Sequence, residues 1–304
     1  MPEALTSHED RNGVSVIIPA YNEELGIGAV LQQAQDMLAA LQLPHELLVV
    51  DDGSRDGTAA AVGRFPEVRL LSHKENRGYG AALKTAIRHA RYELICITDA
   101  DGTYPNARIP DLIAHLLQED LDMVVGARTG AEVAIPWTRK PAKWAIGKLA
   151  NLISGQSIPD LNSGLRIFKR SIALRFFGLL PDGFSFTTTI TLGMLTNGYA
   201  VDYVPINYLA RTGKSKIRPI RDTLNFVNLI LRMALYFAPL KIFLPLSGFM
   251  LLLALAWGLF SWVVLEKLAD VSTIVIVMAA FQVAVTGMLA ELIDRRLPNF
   301  YRDN

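Results

Sequence analysis

The sequence predicts an α/β fold: a mostly parallel sheet with flanking helices, followed by an interfacial amphipathic helix and two transmembrane helices. Between residues 14 and 127, short β-rich runs alternate with helically spaced apolar runs, the pattern of parallel strands joined by crossover helices. Aspartates and glycines cluster at the ends of those runs, where open α/β sheets bind their ligands. Farther along, Ile242–Leu265 and Val271–Ala290 contain no Asp, Glu, Lys or Arg.

The elements follow in order. Val14–Ile18 reads as the first strand, and Leu25–Leu41 has helical spacing of apolar residues. Glu46–Val50 is a second strand running into Asp51-Asp52-Gly53, and Val68–Leu71 is a third. Tyr79–Arg91 is helical, Leu94–Thr98 is a fourth strand ending at Asp99-Ala100-Asp101, and Met123–Gly126 is a fifth. Gly78-Tyr79-Gly80 lacks a third glycine and follows no strand directly, so no dinucleotide fingerprint is present, and there is no Walker motif.

Each of the two charge-free stretches reaches the roughly 20 residues needed to cross a hydrocarbon core of about 30 Å. Residues 266–270 suit a tight hairpin between them. The competing reading, two core helices of a large soluble domain, fits poorly with so long a run without charge. Lys241 precedes the first stretch and Arg295-Arg296 follow the second, while the linker is net negative; the positive-inside rule then places both ends in the cytoplasm. Between Pro205 and Lys241, seven cations face one acid, Asp222. Pro219–Pro239 is rich in Leu, Phe, Ile and Tyr and reads as an amphipathic helix at the lipid interface, against the alternative of a solvated basic face on an ordinary helix. The expected divisions are a disordered 1–13, an α/β domain over 14–218, a juxtamembrane helix over 219–239, a two-helix hairpin over 240–296 and a tail over 297–304.

Composition excludes several classes. The 304 residues are 51% hydrophobic and 19% charged, too apolar for a disordered chain. The net charge of +1 implies no polyanionic partner such as nucleic acid. A single cysteine, Cys96, rules out an intramolecular disulfide and a cysteine metal cluster, and the five histidines are scattered. Residues 1–13 are polar and Val14–Ala20 is short for a signal peptide, so none is expected to open the chain.

Three strand ends carry candidate chemistry. After the first come Pro19, Ala20, Tyr21, Asn22 and Glu23: Pro19 fixes the turn, Tyr21 can lie against a flat base, and Glu23 can accept from a ribose hydroxyl. The alternative is a turn in which Asn22 or Glu23 caps the next helix. After the second, Asp52 can accept from the N–H groups of a base edge, whereas Asp56-Gly57 suits a turn. After the fourth, Asp99 and Asp101 can share a divalent ion with a diphosphate, because magnesium commonly takes one or two carboxylates plus substrate phosphates. The alternative is an acidic turn.

Taken together, these segments, with Asn76-Arg77-Gly78 between them, resemble the nucleotide-sugar-binding half of family 2 glycosyltransferases of the GT-A fold. Val125-Gly126-Ala127-Arg128, Asp160-Leu161-Asn162-Ser163-Gly164-Leu165-Arg166, the 211–216 segment Arg-Thr-Gly-Lys-Ser-Lys and the two spans look like the polyprenyl-phosphate members, similar to dolichyl-phosphate mannose synthases and undecaprenyl-phosphate transferases. The resemblance covers about residues 14–296. Gly102-Thr103-Tyr104-Pro105 departs from the commonest mannose-synthase pattern and leaves UDP-glucose, UDP-GlcNAc and GDP-mannose open as donors.

The resemblance implies inverting transfer of a hexose to a polyprenyl phosphate at the cytoplasmic face of the membrane. Mg²⁺ or Mn²⁺ would be held by Asp99 and Asp101, with Pro19, Tyr21, Asn22, Glu23, Asp52, Ala100, Arg211 and Lys214 around the nucleotide sugar. Arg211 and Lys214 would meet the diphosphate, or else only lipid headgroups. Arg128, Arg139 and Lys143 are the candidates for the acceptor phosphate, the last two also suiting a basic membrane-facing patch. Bidentate arginine suits phosphate. A lipid phosphate with a second pKa of about 6 needs little help losing a proton, so Asp160 is expected to orient rather than act as a base. Trp137, Trp144, Trp257 and Trp262 are read as interface or bilayer anchors. A processive synthase is disfavoured because no Gln-x-x-Arg-Trp motif occurs. A transferase using a hydroxyl acceptor, and a degenerate transferase serving as a membrane scaffold, are the remaining alternatives; a homo-oligomer formed through the spans is left open.

Overall fold

The computed structural model describes residues 11–130, 147–148, 150–208, 235, 238–265 and 271–296. One seven-stranded sheet organises the first part of the chain: β1 (Val14–Ala20), β2 (His45–Asp51), β3 (Val68–Ser72), β4 (Leu94–Ile97), β5 (Met123–Ala127), β6 (Arg166–Lys169) and β7 (Val201–Pro205). Their spatial order is β3-β2-β1-β4-β6-β5-β7. Strands β1 to β4 pair in parallel, as do β5 and β7, and β6 runs antiparallel to both of its neighbours. Strand order reverses at β1, whose neighbours are β2 on one side and β4 on the other, and this switch point opens a crevice at the strands' carboxyl ends.

Both faces of the sheet are covered, which is why its central strands are continuously apolar. β1 shows the division of labour: Val14, Val16 and Ile18 point into one core, and Ile17 into the other. The first core is closed by α1 (Ile27–Ala39), α2 (Thr58–Val62) and α4 (Ile109–Gln118). The second is closed by α3 (Tyr79–His89), α5 (Arg170–Arg175) and α6 (Phe186–Thr196). Cys96 lies inside β4, where burial pushes its thiol pKa up and leaves it unreactive.

Helices α1 and α3 are shorter than the sequence expectation, α1 at both ends and α3 at its end. α1 begins at Ile27, not Leu25, because the Glu23 carbonyl closes a turn on the N–H groups of Gly26 and Ile27 and leaves Leu25 fully exposed. α3 stops at His89, and Ala90 is already extended at ψ 138°.

A third, smaller core joins Ala150, Ile153, Ile158 and Leu161 to Leu192 and Leu195 of α6 and to Ala238. Ala238 leads directly into α7 (Leu240–Leu265), which pairs with α8 (Val271–Arg296). Both helices contain stretches long and apolar enough to span a membrane, Leu240–Val264 and Val271–Ile293. Only 11% and 17% of their most apolar windows are buried, so they are not core helices of the α/β domain. Within the pair, Ser247 donates to the Ala280 carbonyl at 2.8 Å, and Gly287 lets Phe243 approach closely.

Candidate active site

The loops that follow β1 and β2 are laced into one unit. The Asn22 N–H donates to Ser54 Oγ at 2.9 Å, and the Arg55 N–H returns to Asn22 Oδ1 at 2.9 Å. The Glu23 N–H reaches Thr58 Oγ1 at 2.9 Å, and the Gly57 N–H reaches Glu24 Oε2 at 3.1 Å. Asn22 sits at φ +53°, a left-handed conformation that asparagine tolerates. Neither Asn22 nor Glu23 caps α1, whose N-cap is Gly26 without a side-chain bond.

Asp52 is buried and organises a third loop. Its carboxylate accepts from the N–H groups of Arg77 at 2.9 Å and Gly78 at 2.8 Å, and from His73 Nδ1 at 2.6 Å. His73 Nε2 in turn meets Thr85 Oγ1 on α3 at 2.9 Å. Gly53 has to be glycine: at φ +71° its missing Cβ would lie 2.5 Å from the Glu75 carbonyl carbon. Three donors fill most of the roughly four acceptor positions of a carboxylate. Asp52 therefore shapes the crevice wall by holding the 73–78 loop.

At the end of β4, Asp99 and Asp101 are both half-buried. Tyr79 Oη donates to Asp99 Oδ1 at 3.1 Å, and the carboxylate lies flat on Gly164, where an added Cβ would stand 2.7 Å from Asp99 Oδ2. Burial and then the Asp99 charge raise the Tyr79 pKa well above its ordinary value, so the phenol remains a donor. Asp101 Oδ1 accepts from the Thr103 N–H at 3.2 Å and from Thr103 Oγ1 at 2.7 Å. Phe184, 78% exposed, stacks on Tyr79 with centroids 5.5 Å apart. Among the described residues no group of three or more His, Cys, Asp or Glu side chains gathers. Two hard carboxylate donors one residue apart fit a divalent ion that takes its other ligands from phosphate and water.

Arg128, just past β5, and Asp160 form a bidentate pair. Nε donates to Oδ2 at 2.7 Å, Nη2 to Oδ1 at 2.9 Å, and the Arg128 N–H to Oδ2 at 3.0 Å. Nη2 also reaches Asn162 Oδ1 at 2.8 Å, and the guanidinium lies 5.3 Å from the Tyr208 ring centroid. The Asp160 side chain is fully buried, and that of Arg128 is 19% exposed. Burial by itself would lower the Arg128 pKa; its bonds to Asp160 outweigh that and raise it. Beneath them Arg166 is wholly buried, donating to the carbonyls of Ser163 and Thr187 and to Thr191 Oγ1, so that it ties β6 to α6.

The structure thus brings Pro19, Tyr21, Asn22, Glu23, Asp52, Asp99, Ala100 and Asp101 to neighbouring strand ends, and joins Arg128 to Asp160. Arg139, Lys143, Arg211, Lys214, Trp137 and Trp144 lie outside the described residues. The sequence assigns no role to Tyr79 or His73, and Asn162 and Gly164 stand out there only as members of the 160–166 segment.

A mostly parallel sheet with paired carboxylates at the carboxyl end of a central strand defines a domain of the GT-A type. Residues 15–177 match the family described as Glycosyl transferase family 2, and residues 238–295 match the GtrB C-terminal hairpin. The chain belongs to glycosyl transferase family 2. It is similar to dodecaprenyl-phosphate galacturonate synthase of Rhizobium johnstonii, 26% identical across 96% of this chain and 89% of that protein. It is also similar to dolichyl-phosphate hexose transferase of Haloferax volcanii, 29% identical across 68% of this chain and 87% of that protein. Among solved structures, glucosyl-3-phosphoglycerate synthase from Mycobacterium tuberculosis, in complex with Mn²⁺, UDP and phosphoglyceric acid, shares the fold with a TM-score of 0.58 at 20% identity, covering 73% of this chain and 78% of that one.

Proposed function

We propose that this protein transfers a hexose, with inversion, from a nucleoside diphosphate sugar to a polyprenyl phosphate at the cytoplasmic face of a membrane. One observation carries the reading: a crevice with the Asp99–Asp101 pair sits in the same chain as an apolar helical hairpin, rooted in a core shared with the Asp160 segment. A charged donor and a lipid acceptor can therefore meet on one protein. The polyprenyl-phosphate relatives support this acceptor class.

Asp99 and Asp101 would hold Mg²⁺ or Mn²⁺, which when bound neutralises the leaving diphosphate and fixes its orientation. Tyr79 and the Gly164 backbone set where the Asp99 carboxylate stands. Asp52 would take a base N–H on its remaining acceptor position, with Tyr21 against the base, Glu23 at the ribose, and Arg211 and Lys214 on the diphosphate. An oxygen of the acceptor phosphate attacks the anomeric carbon, the bond from that carbon to the diphosphate oxygen breaks, and the nucleoside diphosphate leaves. Arg128, with Arg139 and Lys143, would hold the acceptor phosphate. The three donors on Asp160 favour an orienting role for it over that of a proton acceptor. Residues 219–239 would lie in the lipid interface before the hairpin.

Incubating membranes that contain the protein with labelled nucleotide sugars and undecaprenyl phosphate should yield a labelled, lipid-extractable product from one donor. Absence of such a product from every donor, with sugar instead reaching a hydroxyl acceptor, would replace this reading. Orientation is checked separately: in sealed right-side-out vesicles, protease should cut only the 266–270 linker and spare residues 14–208. Cleavage within 14–208 would reverse the topology.

The support of Asp99 gives a further expectation. Tyr79→Phe should weaken Mn²⁺-dependent UDP or GDP binding, measured calorimetrically, by about tenfold, since a hydrogen bond to a charged group is worth about 1.5–3 kcal/mol. Gly164→Ala should do at least as much by displacing the carboxylate. Unchanged affinity in both variants would remove Asp99 from the donor site.

A further inference from the structure

We infer that Lys241 is a positioning residue for the membrane-borne acceptor, setting the height of the Arg128–Asp160 pair above the bilayer; this rests on the polyprenyl-phosphate reading above. Lys241 is the second residue of α7, at the root of the hairpin. Its Nζ donates to the carbonyls of Leu152 at 3.1 Å and Ile153 at 2.7 Å. Those carbonyls end a short helical stretch, residues 150–154, which Gly155 closes at φ +74° with its N–H on the Asn151 carbonyl. Terminal helix carbonyls have no partner within their own helix, and a cation there also complements the helix dipole.

The stretch leads straight to the site. Asn151 Oδ1 accepts from the Ile158 N–H at 2.9 Å, bending the chain back on itself. Ile158 and Leu161 then pack with Ile153 and Ala238, and Ile242 of α7 packs against the same cluster. Asp160 stands between Ile158 and Leu161, buried and bidentate to Arg128. The hairpin root, the 150–154 stretch and the Arg128–Asp160 pair are therefore linked by consecutive bonds and packing contacts. On that stretch Leu152 is 59% exposed beside the hairpin root, an apolar side chain placed where the lipid surface would lie. In the donor crevice Asp52 and Asp101 are held by other elements, and Gly164, the point where the 160–166 segment meets Asp99, has its own anchor in an N–H bond to Tyr104 Oη at 2.6 Å. Loss of the Lys241 bonds should therefore misplace the lipid acceptor and leave donor binding alone.

The test uses full-length protein in vesicles with two acceptors: undecaprenyl phosphate, and a water-soluble polyprenyl phosphate of two isoprene units. Lys241→Met keeps the aliphatic length and removes the donors. It should raise KM for the membrane-borne acceptor about tenfold, the scale of a charge-assisted hydrogen bond. KM for the donor, and kcat/KM for the soluble acceptor, should stay at wild-type values, and Lys241→Arg should restore most of the loss. If Lys241→Met does not accumulate, Leu152→Glu, which places a charge on the exposed side chain at the root, should give the same split between acceptors. Equal loss on both acceptors, or no loss on either, overturns the inference while wild-type turnover keeps the function intact. Failure of the wild type to use either acceptor overturns the function on which it rests.

Discussion

Asp101→Asn is expected to lower sugar transfer by about 10³-fold at saturating Mn²⁺ or Mg²⁺, with the fold unchanged. A divalent ion on the leaving diphosphate supplies several kcal/mol of transition-state stabilisation, and each 1.4 kcal/mol is tenfold in rate. The local structure favours a clean variant. Asp101 Oδ1 accepts both Thr103 bonds, and the asparagine oxygen can accept the same two, so the turn at Gly102 keeps its geometry. What changes is the second oxygen, which becomes an amide donor and repels a cation. Asp99→Asn should act in the same direction but less severely, because Asp99 already shares its carboxylate with Tyr79 and its place is fixed by Gly164. Initial rates and Mn²⁺-dependent nucleotide binding decide the matter together. A variant with near wild-type rates and unchanged nucleotide affinity would reduce the pair to an acidic turn.

The parts of this fold that were legible in the sequence are those governed by local pattern. Of the five strands expected before residue 128, β1, β2, β4 and β5 are short and almost wholly buried, and β2 and β4 run into acids where the crevice opens. β6 and β7 gave no such signal. β6 is four residues long and opens on a buried arginine, while β7 is half-buried and reads Val-Asp-Tyr-Val-Pro. α6 was hidden for a different reason. Its sequence, Phe-Thr-Thr-Thr-Ile-Thr-Leu-Gly-Met-Leu-Thr, is buried almost all round, so it has no polar face to impose a helical period, and its threonines favour strand.

The same limit applies to the site. Asp52, Asp99 and Asp101 stand out because acids at strand ends are visible locally. Their partners are not, because those contacts are made by topology. Tyr79 meets Asp99 across the β3–α3–β4 crossover, and Gly164 reaches it because β6 pairs antiparallel to β4. His73, one of five scattered histidines in the sequence, proves to be the link between Asp52 and α3. Arg128 and Asp160 were both singled out, yet nothing in a 32-residue separation says that they hold each other.

That pairing changes the basis of the second large effect. Arg128→Ala removes the bidentate guanidinium from the fully buried Asp160 carboxylate while keeping the backbone donor of residue 128. Removing one partner of a buried ion pair costs about 3–5 kcal/mol. For a domain of this size, that corresponds to a fall in Tm of about 6–20 °C. Transfer should fall as well, mainly through a raised KM for the acceptor. Asp160→Asn should be milder and keep measurable activity: the amide oxygen still accepts one guanidinium bond, and no base is lost if the nucleophile is already an ionised phosphate. Because Asp160 holds the Arg128 pKa high, the guanidinium stays charged throughout the working range and imposes no pH step of its own. Stability and function separate in the double variant Arg128→Met/Asp160→Leu. Apolar replacement of both members of a buried pair is often neutral or stabilising, so Tm should return towards the wild-type value. Transfer should not return, because no cation remains there for the acceptor phosphate. A double variant that regained both stability and transfer would show that the pair serves the fold alone, and the acceptor clamp would then have to be sought among Arg139 and Lys143.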